Sequence, residues 1–249
     1  MVLIFPMAGL SSRFSKAGYD IPKYMLPIDE HSVFYHAVNG FKNLFTDVKV
    51  LFVCRDIYNT QKFIESECKI MNLINYEIVI LNEPTDGQAE TVYLGLKNST
   101  LNLTDSLLIF NIDTFRPNFK LPNELNFKHL DGYLEVFEAE GNHWSFILPE
   151  SNESNKVIKT AEKERISGLC SSGLYYFKQI SDFNEIFGEI MSKNDRVKNE
   201  FFIAPMYNYL IEKKKDIRYF KISLNEIIFC GTPDEYSRIK NETNKFKIR

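Results

Sequence analysis

Neither G-x-x-x-x-G-K-[ST] nor G-x-G-x-x-G occurs in these 249 residues, so a Walker loop and a dinucleotide fingerprint are both excluded. The four cysteines, Cys54, Cys68, Cys170 and Cys230, show no C-x-x-C spacing. That pattern fits reduced, buried thiols and not a zinc site or a disulfide frame. His31, His36, His129 and His143 lack metal spacing too and are expected to be structural or exposed. Positive charge is not in excess: 30 Lys and Arg face 33 Asp and Glu, a net charge of −3, which argues against a nucleic-acid partner. No apolar run reaches the length of a signal peptide or a membrane span, so a cytoplasmic protein without a membrane partner is expected. No Pro/Gly/Ser-rich linker and no repeat appears, and residues 1–249 are expected to form one domain.

What is present is periodicity. Apolar, strand-like runs lie at 2–6, 48–54, 76–81, 106–111, 132–137, 169–177 and 217–222. Apolar residues at three- and four-residue steps predict helices over 33–45, 58–71, 89–96, 180–191 and 201–213. Strand and helix alternate through the first half, which implies an α/β fold with a mainly parallel sheet, extended by the less regular second half. Ligands of such sheets bind beyond the carboxyl ends of the strands. Residues 151–155 read as an exposed turn, and the charged runs 212–215 and 241–247 as solvated helix ends.

The first carboxyl end is the most informative stretch. A short strand runs into Met7-Ala8-Gly9-Leu10-Ser11-Ser12-Arg13-Phe14, and Pro22-Lys23 follows. Small residues after a strand let successive N–H groups approach phosphate oxygens without Cβ clashes. Arg13 offers a planar fork and Lys23 a compact charge, a suitable pair for a triphosphate. Three further segments carry chemistry. Asn111-Ile112-Asp113-Thr114 puts a carboxylate just past a strand end, where hard Mg²⁺ takes oxygen ligands. Thr85-Asp86-Gly87-Gln88-Ala89 joins a strand to a helix; Gly87 permits close backbone approach, and Gln88 can donate to and accept from a nucleobase edge. Asp86 or Thr85 is also a candidate cap of that helix. The run Glu162-Lys163-Glu164-Arg165 would by itself be a solvated charge cluster.

In this order the segments resemble the sugar-1-phosphate nucleotidylyltransferases, the nucleotide-sugar pyrophosphorylases, whose signature A-G-x-G-[ST]-R-[FL] is followed downstream by P-K. Ser11 stands where that signature has its second glycine. The resemblance runs from Val2 to about Tyr236 and implies a Rossmann-like three-layer fold of the nucleotide-diphospho-sugar transferase type. Residues 1–115 would bind the nucleotide and 116–249 the acceptor. By the same resemblance Arg13, Lys23, Asp113 and Lys163 are catalytic, with Lys163 on the acceptor phosphate and Asp113 on Mg²⁺. Met7, Ala8, Gly9, Leu10, Ser11, Ser12, Gly87 and Gln88 bind the nucleotide, and Glu162, Gly173 and Glu200 the acceptor. Trp144, Ser145 and Phe146 are placed on the same side. The chain departs from the family at Phe229, where many members carry a metal-binding aspartate two residues before G-T. Asp113 with phosphates and water could hold the ion, Glu226 could substitute, or the second ligand is lost. Asp234 suits a helix N-terminus better.

The implied activity joins an NTP to a sugar-1-phosphate, or a similar phosphorylated polar acceptor, with release of pyrophosphate, and would feed capsule or lipopolysaccharide synthesis. A GT-A-type glycosyltransferase usually carries D-x-D, and Asn111-Ile112-Asp113 lacks the first carboxylate. A non-catalytic nucleotide or nucleotide-sugar sensor stays open on the strength of Ser11 and Phe229. The base, the acceptor and a homo-oligomeric state are left open by the sequence.

Overall fold

The computed structural model describes residues 1–242, so the charged run 241–247 lies outside the described residues from position 243 onward. The chain enters as β1 (Val2–Pro6) and turns through the short helix α1 (Ser12–Lys16). Two-residue strands β2 (Pro27–Ile28) and β3 (His31–Ser32) pair with each other ahead of α2 (Val33–Asn39). Strict alternation follows: β4 (Lys49–Cys54), α3 (Thr60–Met71), β5 (Tyr76–Ile80), α4 (Gln88–Lys97) and β6 (Leu107–Ile109). Then come β7 (Thr114–Phe115), β8 (Gly132–Glu138), β9 (Ser145–Pro149), β10 (Val157–Glu162) and β11 (Leu169–Phe177). The described chain closes with α5 (Ile180–Lys193), α6 (Met206–Glu212), β12 (Ile217–Lys221), β13 (Ile228–Phe229) and α7 (Pro233–Glu242).

Nine strands form one mixed sheet among the described residues, in the order β10-β9-β11-β6-β1-β4-β5, with β8 along the other side of β11 and β12 beyond it. The block β6-β1-β4-β5 is parallel, as its alternation with helices requires. Strand β11 enters antiparallel to β6 and joins the second half to that block. The fold class is the expected α/β.

The pleat of β1 sorts the core into two layers. Leu3 and Phe5 face a cluster with Phe34, Ile64 and Ile239 of α2, α3 and α7. Val2 and Ile4 face the opposite cluster, with Val92, Phe187 and Leu210 of α4, α5 and α6. Phe5 stacks on Phe52 at 5.7 Å. Each such fully buried side chain contributes roughly 1.5–3 kcal/mol. In α5 the buried residues Ile180, Phe183, Ile186, Phe187 and Ile190 form one stripe at helical spacing. Among the described residues no helix is long and apolar enough to cross a membrane.

Boundaries moved where tertiary contacts overrode periodicity. The helix expected over 33–45 stops at Asn39 and gives way to a 3-10 turn at Lys42–Leu44; Gly40 lets the Arg116 carbonyl approach at the point where they meet. Left-handed Tyr58 and Asn59 delay α3 to Thr60. The helix expected over 201–213 begins at Met206, since Phe201 is held in backbone bonds to Asp86 and Ala89. Strands β9 and β10 were not expected; four of the six residues of β10 are exposed or polar, and its pattern is weak.

Under the sheet's second half lies a buried ion pair. Arg116, 5% exposed, donates from Nε and Nη2 to both oxygens of Glu135, 1% exposed, at 2.9 and 3.0 Å. Ser172 Oγ donates to the same carboxylate at 2.9 Å, and Arg116 Nη1 donates to the Glu226 carbonyl at 2.9 Å. Removing one partner strands a buried charge. Glu135→Ala is expected to lose about 3–5 kcal/mol in urea unfolding; a loss within experimental error would show that the pair does not bear on stability.

Candidate active site

The parallel block delivers the loops after β1, β5 and β6 to one edge. There they border a cleft of two adjoining cavities, about 470 and 540 Å³, that share Ser11, Lys23, Gln88, Asn111, Asp113 and Glu200.

The first loop turns at Ser11, whose φ of 51° is left-handed. This is the position at which the resembling signature has glycine, and that conformation is the reason glycine suits it. Met7, Gly9, Leu10, Ser11 and Ser12 line the second cavity, and Ser11, Ser12 and Arg13 the first. Ala8 lines neither cavity, is 1% exposed, and packs into the core while its carbonyl accepts from Arg55 Nε at 3.2 Å. Lys23 Nζ donates to Asp113 Oδ2 at 2.5 Å, so the expected triphosphate cation and the expected metal carboxylate meet directly.

The Gly87 turn is clamped. At φ 136° its missing Cβ leaves room for the Phe201 carbonyl, which accepts from Ala89 N at 3.0 Å, while Phe201 N donates to Asp86 O at 2.7 Å. Neither Asp86 nor Thr85 caps α4, whose N-cap is Gly87 without a side-chain bond. Instead Asp86 accepts from Arg196 Nη1 at 2.7 Å, and Thr85 shares a hydrogen bond with Thr91 at 2.6 Å. Gln88 Nε2 donates to Asn111 Oδ1 at 2.5 Å.

Antiparallel pairing of Tyr175 with Ile109 carries Gly173 to the level of Asn111, and a register shift against β8 between Ser171 and Tyr175 bulges the strand there. Gly173 has φ 89°, and any Cβ would overlap the Asn111 amide. On the far wall Glu162 pairs across the ladder with Ser145, whose hydroxyl donates to its carboxylate. Lys163 is left-handed at φ 55°, which breaks strand alternation and lets both residues line the first cavity. Its Nζ lies 3.8 Å from Glu162 Oε1 and 4.1 Å from the centre of the Phe202 ring. Glu200 is exposed and lines both cavities. Trp144 and Ser145 line the first cavity as expected, but Phe146 is fully buried behind them. Sequence reasoning missed the cavity-lining side of His143, whose ring lies 4.3 Å from that of Trp144, and of Phe202.

Phe229 lines the first cavity and rests on Trp144 at 4.9 Å. Glu226 does not replace the acid that is absent there. Its carboxylate accepts from Ser223 N in a reciprocal cap and lies 3.9 Å from Arg116 Nη1. Asp234 lies in the first turn of α7, as expected, but the neighbour that lines the cavity is Glu235. Among the described residues no three His, Cys, Asp or Glu side chains converge to hold a metal by themselves. Asp113 fits a magnesium site completed by phosphate oxygens and water, the usual setting for that ion. The four cysteines are free and buried, as expected.

No family model matches the chain, and no curated protein matches it. Among solved structures, a nucleoside-diphosphate-sugar pyrophosphorylase from Vibrio cholerae RC9 is 45% identical, covers 97% of this chain and 100% of its own, and superposes with a TM-score of 0.91. A UDP-glucose pyrophosphorylase solved with UDP-glucose is 18% identical, with 98% of both chains covered and a TM-score of 0.71. An apo UDP-glucose pyrophosphorylase is 17% identical, with 98% of both chains covered and a TM-score of 0.70. At 17–18% identity the likeness is one of fold.

Burial holds the Glu162 carboxyl above its ordinary value of 4.5, against the pull of the Ser145 hydroxyl and the Lys163 ammonium. A carboxyl raised by folding keeps its proton longer in the folded chain, so its contribution is full at low pH and falls as pH rises through the raised value. Thermal melts of Glu162→Gln should therefore match the wild type below the ordinary carboxylate range and lie above it at neutral pH. A constant offset at every pH would contradict this.

Proposed function

The chain belongs to the nucleoside-diphosphate-sugar pyrophosphorylase family, and from that membership we propose that it transfers a nucleotidyl group from an NTP to a sugar-1-phosphate or a similar phosphorylated polar acceptor. The observation that supports this reading is convergence. Arg13, Lys23, Asp113 and Lys163, from four separate segments, line one cavity at the carboxyl edge of the parallel block.

In the proposed reaction an acceptor phosphate oxygen attacks the α-phosphorus of the NTP. One P–O bond forms, the bond to the bridging oxygen of the β-phosphate breaks, and pyrophosphate leaves with that electron pair. No general base is required, because a phosphomonoester is largely ionised near neutral pH, with a second pKa of about 6. The work left to the protein is alignment of two anions and stabilisation of spreading charge. Arg13 and Lys23 serve the triphosphate, and Lys163 the acceptor phosphate. Gly87 and Gln88 meet the base, beside the backbone of the 7–12 loop. Glu162, Gly173 and Glu200 border the acceptor. Asp113 would hold magnesium, which when bound neutralises phosphate charge. In this reading residues 1–115 form the nucleotide half and 116–249 the acceptor half, and the product feeds capsule or lipopolysaccharide assembly in the cytoplasm.

The test is pyrophosphate release with Mg²⁺ across CTP, UTP, GTP, ATP and dTTP, each paired with a panel of phosphorylated acceptors. Acceptor-dependent release with one nucleotide is the expected result. Thermal stabilisation by NTP without turnover would indicate a sensor, and stabilisation by nucleotide-sugars alone a glycosyltransferase. Lys23→Ala and Asp113→Ala are each expected to lose about 10²–10³ in rate with circular dichroism unchanged; wild-type rates in both would overturn the assignment.

A further inference from the structure

We infer that Glu235 supplies the second carboxylate of the divalent-cation site, facing Asp113 across Gly231 and making good the acid that Phe229 does not provide. The inference rests on the reading of Asp113 as a metal ligand.

Three observations converge. The first is space. A Cβ on Gly231 would lie 3.0 Å from Asp113 Oδ2 and 3.7 Å from Glu235 Oε2, and the nearest atoms it would meet all belong to these two carboxylates. A glycine thus keeps open a gap whose walls are two anions. The second is charge: Asp113 Oδ2 already accepts from the Lys23 ammonium at 2.5 Å, and both residues line the same cavity. The third is rigidity. Strand β13 pairs with β7, Phe229 opposite Thr114, and Cys230 N donates to the Asp113 carbonyl at 2.9 Å, so the 229–235 turn is tied to the backbone of Asp113 itself. Thr232 N donates to Glu235 Oε2 at 3.0 Å, and Glu235 N donates to Thr232 Oγ1 at 3.3 Å, fixing the carboxylate against the turn.

Magnesium is commonly held by one or two carboxylates together with substrate phosphates and water. Asp113 and Glu235 meet that requirement from two segments, in a cavity that Arg13 and Lys23 also line. Position 229 lies on strand β13, whereas Glu235 borders the gap from the first turn of α7, on a side chain one methylene longer than that of aspartate.

The competing explanation is that Glu235 only caps α7, and substitution separates the two. Gln at this helix position keeps the reciprocal cap while removing the charge. Binding of Mn²⁺ to the full chain, followed by loss of the free-ion EPR signal with and without inorganic tripolyphosphate, reads the site without turnover. Glu235→Gln should weaken Mn²⁺ binding about tenfold or more at an unchanged melting temperature, and Asp113→Asn should weaken it as well. Should Glu235→Gln not fold, Gly231→Ala, which sets a methyl between the two carboxylates, carries the same expectation. Wild-type Mn²⁺ affinity in Glu235→Gln alongside a loss in Asp113→Asn would reduce Glu235 to a cap and overturn the inference. Unchanged affinity in both, or no Mn²⁺ uptake by the wild type, would overturn the metal reading of Asp113 and the inference with it.

Discussion

The Arg116–Glu135 ion pair fixes the frame on which the cleft is hung. Arg116 follows Asp113 by three residues, Ser172 precedes Gly173, and Glu226 leads into β13. One buried guanidinium therefore joins β8, the β11 bulge, the segment that follows Asp113 and the turn before β13. Two-pronged hydrogen bonding gives such a pair direction as well as energy, and its burial makes the alternative geometries expensive. A shift of Arg116 would move Asp113 and Gly173 together.

Around this frame the site is assembled by close approaches that only glycine permits. Gly87 admits the Phe201 carbonyl and Gly173 admits the Asn111 amide. Each is a contact between distant parts of the chain. Gly87 ties the turn after β5 to the segment carrying Glu200 and Phe202, while Gly173 sets the β11 bulge against the Gln88–Asn111 bond. The two halves of the cleft are thereby held in register by backbone, with the charged side chains free to face the cavity.

Much of this was legible in the sequence. The limits of β1 and β11 match their apolar runs residue for residue, because both strands are buried along almost all their length. Several of the motif residues that gather in the cleft, among them Ser11, Gln88, Asp113 and Lys163, follow a strand end or a glycine turn, where local chemistry announces itself. What was illegible depended on contacts between distant segments. Strands β9 and β10 carry Ser145, Lys159 and Glu162, residues that face a cavity or solvent and so blur the period. Ala8 reads as part of a phosphate loop, yet its methyl is core. Glu226 was named as a possible substitute acid and Glu235 was not singled out; Glu226 is drawn toward Arg116 and the Ser223 cap, while Glu235, bonded to Thr232, lines the cleft.

The contact between Lys23 and Asp113 changes what substrate entry means. An empty cleft that kept its cations and its carboxylate apart would present a strong field to any passing anion. Here that field is internally compensated. Under the proposed function, a triphosphate arriving at Lys23 would have to take the ammonium from Asp113, and the freed carboxylate would gain a vacancy at the same moment. Recognition is then an exchange of partners, in which the driving force is the difference between two pairings. Ligands with only one of the two charges to offer are left to compete with an ion pair that is already made.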